Sequence, residues 1–153
     1  MPDKTNARLQ YAELVRHFLA GRMTNHQYEN RCDDLIDDGD DAVNQIYCEL
    51  WKSYCDFREH RMGLRHGMTR DGRRLAARWI MFLRSGRPYE YPIYGCLPTL
   101  ITIMTLGLVR KPDPLSLGDS DVWPYFRHSD FQCDLARPTL LNGRSGHMVA
   151  DIG

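Results

Sequence analysis

Apolar residues recur at helical spacing over much of the first half of the chain. Between residues 5 and 20 they fall at Leu9, Ala12, Leu14, Val15, Phe18 and Leu19, with Gly21 just beyond. This predicts an amphipathic helix stopped by a residue that turns left-handed at no steric cost. Thr24 and Gln27 then stand in capping-box register. A hydroxyl and an amide three residues apart can satisfy each other's unpaired backbone N–H groups, so a second helix is expected over about 25–35. A third is expected over 41–60, where Val43, Ile46, Tyr47, Leu50, Tyr54 and Phe57 form a stripe at three- and four-residue steps. Asp40 or Asp41 would open it. Thr69 can cap a fourth helix over 70–84, with Leu75, Trp79, Phe82 and Leu83 as its inner arc. Ala77, Ile80 and Met81 carry apolar character almost all the way round, the pattern of a central helix.

Two prolines and two glycines in "SGRPYEYPIYG" then end the helical pattern. Residues 97–108 fit two templates. Pro98 suits a first helical turn, whereas the alternating isoleucines and threonines suit a buried strand; helix is preferred and strand stays open. "VWPYF" reads as a short turn that buries aromatics, and Ser129 is expected to cap a last helix through about 137. The remaining "PTLLNGRSGHMVADIG" has no periodicity. The expected fold class is mainly α, a compact single-domain bundle of four to six helices with irregular Pro- and aromatic-rich connections. The domain is expected over 1–137, with a flexible tail over 138–153. The 41–60 and 70–84 helices should pack together at its centre, with "PYEYP" and "VWPYF" closing over one end.

Charge adds an asymmetry that composition hides. The formal net charge is +0, which argues against a general polyanion binder. Yet residues 1–56 carry 11 acids against 6 bases, residues 57–87 carry 2 against 9, and residues 88–153 carry 7 against 5. All nine bases of the middle block are arginine, whose planar fork grips carboxylates and phosphates as lysine cannot. The simplest reading is neutralisation of acidic by basic segments inside one fold; the alternative is a basic face offered to a partner. Five cysteines without a CxxC pair fit free thiols in a reducing compartment. No signal-peptide pattern opens the chain, and the apolar run at 96–109 is too short to span a bilayer. A cytoplasmic location is expected.

Candidate chemistry is sparse. "DDLIDDGDDAVNQ" fails the EF-hand register, because the third position would be Ile36 and the twelfth Gln45. The six histidines show no metal-ligand spacing, and there is no phosphate loop or dinucleotide fingerprint, so no metal or cofactor is expected. "DFREHR" at 56–61 is more suggestive. Asp56 and His60 are an (i, i+4) pair on the expected third helix, and an aspartate can orient a histidine as general base. The preferred reading is a solvated helix end, where His60, Arg58 and Arg61 meet the negative end of the dipole and Asp56 and Glu59 pair with them. Arg78 falls inside the apolar arc of the fourth helix. It is expected to pair with an acid of the third helix, such as Glu49 or Asp56, or else to line an anion pocket.

The segments "FLAGRMTNHQYENR", "ELWKSYCDFREH", "WIMFLRSGRPYEYP" and "VWPYFRHSDF" resemble successive motifs of a family of small bacterial proteins without an established activity. The resemblance covers about residues 10–135 and implies a single bacterial domain, with no site residues to carry over. Three function classes are weighed. The favoured one is a protein–protein interaction module, immunity-type or regulatory, with no catalysis of its own. Its candidate binding residues are Asp56, Glu59, His60, Arg61 and Arg78, and its partner is another protein such as the product of a neighbouring gene. The alternatives are an enzyme with a site around Asp56, His60 and Arg78, and a nucleic-acid binder acting through Arg58–Arg74.

Overall fold

Short-range capping signals set most of the helix ends. In the computed structural model, residues 4–36, 39–52, 54, 57–63, 67–92 and 114–142 are described. Helix α1 (Lys4–Leu19) buries Tyr11, Ala12, Val15 and Phe18. Gly21 follows at φ +69°, and a Cβ there would lie 2.4 Å from the Met62 carbonyl oxygen, so both backbone hand and space call for glycine. Helix α2 (Asn25–Ile36) opens with the reciprocal box: Gln27 N–H donates to Thr24 Oγ1 (3.2 Å) and Thr24 N–H to Gln27 Oε1 (3.1 Å). Helix α3 (Asp41–Trp51) is capped by Asp40, whose Oδ1 accepts from the N–H groups of Ala42 and Val43. Helix α4 (Arg70–Ser85) starts at Thr69, whose hydroxyl accepts from Gly72 N–H, and ends at left-handed Gly86.

Past residue 113 the chain makes 3-10 turns at Pro114–Leu117 and Ser120–Val122, then helices α5 (His128–Leu135) and α6 (Thr139–Asn142). The protein is mainly helical, and among the described residues the only β pairing is an isolated antiparallel bridge between Thr24 and Arg61. Helix α4 buries Ala76, Trp79, Ile80, Met81, Phe82 and Leu83 and is the hub. Its most extensive packing is against α1, which also packs on α2; its contact with α3 is smaller. The expected central pairing of the third and fourth helices is therefore corrected: α4 packs chiefly on α1.

The "PYEYP" and "VWPYF" segments lie together against α4. Tyr91 Oη donates to the Tyr125 carbonyl and Trp123 Nε1 to Tyr89 Oη, each at 3.2 Å. Trp123 meets Trp79 edge-on at 6.2 Å, and Tyr125 meets Phe82 at 5.1 Å. Two further expectations need correction. Helix α5 opens one residue before Ser129, where Asp119 Oδ2 accepts His128 N–H at 2.7 Å. Ordered structure also continues past 137: Leu140 of α6 is buried, and Arg84 Nη1 donates to the carbonyls of Leu140 and Leu141. The helix-or-strand question at 97–108 and the stretch 143–153 lie outside the described residues.

Candidate functional site

The third helix was expected to run to residue 60; it stops at Trp51, and the chain after it becomes a strap. The far part of that strap is held from outside the helix. The fully buried Asn25 side chain donates from Nδ2 to the Arg58 carbonyl (3.2 Å) and accepts His60 N–H at Oδ1 (2.8 Å). Asn25 N–H donates to the His60 carbonyl at 3.0 Å. A continued helix would have spent those backbone groups on its own ladder; here one amide and the Thr24–Arg61 bridge take them, so tertiary contacts override local propensity. Tyr54 secures the approach, its ring edge-on to Phe18 (5.2 Å) and Tyr28 (6.1 Å).

This geometry separates the predicted site residues. Glu59, His60 and Arg61 share the strap. Glu59 is exposed and accepts from Thr24 Oγ1 at 2.7 Å, Arg61 is exposed beside the bridge, and half-buried His60 has Nδ1 2.9 Å from the Arg58 carbonyl. Asp56 lies outside the described residues. Arg78 belongs to a different assembly. Its Nη1 donates to the carbonyls of Asp121 and Trp123, and its guanidinium lies 5.2 Å from the centre of the Phe131 ring. The expected carboxylate from α3 is replaced by turn carbonyls and an aromatic face. Burial lowers the Arg78 pKa, and the Asp121 charge opposes that shift.

Two exposed aromatics that sequence reasoning missed flank the start of the strap. Phe57, placed on the inner stripe by its spacing, is 95% exposed, and Trp51 is 51% exposed. They stand three residues to either side of the anchored Tyr54. Arg58 is exposed next to Phe57. Phe57 and Arg58 thus lie where the segment pinned to α2 begins, and Trp51 lies at the end of α3. Among the described residues, no three His, Cys, Asp or Glu side chains are grouped to hold a metal ion, and no helix is long and apolar enough to cross a membrane. No protein-family model, curated protein or solved structure matches the chain.

Proposed function

We propose that the protein is a small interaction module, immunity-type or regulatory, that docks another protein through the strap and the end of α3. The observation that carries this is the near-complete exposure of Phe57 on a backbone held by Asn25. Large aromatics and arginines dominate interface energetics when they enter a partner's pocket. A pre-pinned loop also gives up less conformational entropy on binding than a free one. Phe57 and Trp51 would be the apolar anchors. Arg58 and Arg61 would meet carboxylates at the rim of the partner's pocket, while Glu59 is already engaged by Thr24. The separation of His60 from Arg78 favours this reading over a catalytic one built on that pair.

The test is titration calorimetry against the product of a neighbouring gene, with Phe57→Ala and Trp51→Ala. Each substitution should weaken binding at least tenfold, about 1.4 kcal/mol, and leave the melting temperature unchanged, because neither ring supports the core. Undiminished binding by the double variant would rule this surface out.

A further inference from the structure

A second feature lies on another face, where α1 ends beside α4. The two helices face each other there through small residues, and a groove of about 820 Å³ opens between them. That size suits a small-molecule site. Its apolar wall includes Leu19, Ala77, Ile80 and Leu141, and among the described residues its charged lining consists of two guanidiniums, Arg16 and Arg73, with no carboxylate. Arg16 gives Nε and Nη2 to Glu13, and Arg73 gives Nη1 to the Met68 carbonyl at 2.9 Å. Arg16 Nη1 and Arg73 Nε and Nη2 take no part in these bonds.

We infer that this groove binds an amphiphilic anion, an aliphatic carboxylate whose chain lies along Leu19, Ala77, Ile80 and Leu141 and whose head group meets Arg16 and Arg73. A flexible alkyl chain suits a wall of aliphatic side chains. Guanidinium pairs present the forked donors that a carboxylate accepts. A cation of the same chain length would bring its charge to the two arginines and be repelled. The groove uses none of Trp51, Phe57, Arg58 and Arg61, so its failure would leave the interaction reading untouched.

The experiment is calorimetric titration of the full chain with dodecanoate below its micellar range, and with dodecyltrimethylammonium as the control. Dodecanoate should bind saturably at one site, at least tenfold more tightly than the cation. The Arg16→Gln/Arg73→Gln double variant should lose about tenfold toward dodecanoate and little toward the cation. Ala77→Trp, which fills the groove, should abolish binding with the helical circular dichroism retained; Ala77→Leu, a smaller filling, should weaken it in the same direction. Equal affinity for both amphiphiles, absence of saturable binding, or indifference to these substitutions would overturn the assignment. So would a concentration-dependent dimer dispersed by Ala77→Trp, which would give the groove to a second copy of the chain.

Discussion

Asn25 links two segments 35 positions apart with one amide. Replacing it with alanine leaves His60 N–H unpaired at a part-buried site and removes a donor from the Arg58 carbonyl. A buried group stripped of its partner costs about 1–3 kcal/mol, so Asn25→Ala should lower stability by about that amount. Amide exchange at His60 should rise more than exchange in the centre of α4. Asn25→Asp keeps the acceptor and loses the donor, so its effect should be smaller at His60. Cys32 makes a second residue-scale case. It is buried beside the Tyr11–Tyr28 hydroxyl pair, whose oxygens are 2.8 Å apart. Burial pushes its thiol up to about 12, with the Tyr28 hydrogen bond opposing. The thiolate is the reactive form, so Cys32 should resist a disulfide reagent at pH 8 in the folded protein while exposed Cys48 and Cys133 react. Labelled-peptide mass spectrometry separates the three. Because the folded pKa is raised, the contribution of this thiol to stability is present below the ordinary value of 9.0 and lost as pH climbs from there toward 12.

At the scale of elements, what was legible depended on where the determining contact sits. Thr24 with Gln27, Asp40 and Thr69 act within three residues of themselves, and α2, α3 and α4 begin where those residues place them. The end of α3 was illegible because no glycine or proline marks it. Asn25 pins the segment farther on, at Arg58 and His60, and periodicity carried the apolar stripe past the stop onto Phe57. Of the candidate residues, Glu59, His60 and Arg61 lie on the strap rather than on the expected helix, and Arg78 meets turn carbonyls, which leave no trace in sequence spacing. Helix α6 was missed for a similar reason: four residues are too few for a period, and its anchor is a distant guanidinium. Arg84 is only 6% exposed and bonds Glu13 of α1 as well as the two carbonyls of α6. Arg84→Met should therefore free α6, seen as faster protease cleavage after Arg137 and faster exchange over 139–142. Acid should act on the same latch. Burial tends to raise the Glu13 pKa, but the Arg16 hydrogen bond and the Arg84 and Arg16 charges hold it below 4.5. Its contribution is present above 4.5 and fades as pH falls through the lower folded value. Exchange over 139–142 should accelerate in that acid window in the native protein and be insensitive to it in Glu13→Gln.

Across the whole molecule, the arginine block divides into two roles along α4 and its exit. Arg70, Arg73 and Arg74 are exposed on the first turns. Farther along, Arg78, Arg84 and Arg87 turn inward and tie together parts of the chain remote in sequence. Arg87 is the clearest case, because its Nε and Nη1 meet Asp134 (2.8 Å) and Asp130 (2.9 Å) of α5 while its carbonyl accepts from Arg8, which also holds Asp40 at 2.7 Å. One junction thus joins α1, the cap of α3, the end of α4 and α5. Asp134 is fully buried, and its other cationic neighbour, Arg137, is 56% exposed at 3.5 Å. Removing Arg87 would leave a buried carboxylate with weak compensation. That loss is severe when both partners are dry, 3–5 kcal/mol, and smaller here because Arg87 itself is partly wet, so Arg87→Gln should cost about 2 kcal/mol. The exposed arginines give the contrast. Arg74 pairs with Asp71 at 3.3 Å in solvent, a contact worth less than about 1 kcal/mol, and Arg70→Gln/Arg74→Gln should shift stability by no more than that. If neutralisation between segments is what the charge pattern accomplishes, denaturant titrations of the two variants will differ in that order. The Arg87 effect should also persist at high salt, where the surface pair is screened. Equal, salt-sensitive losses in both would mean that the basic block is a surface field and the inward clamps contribute little.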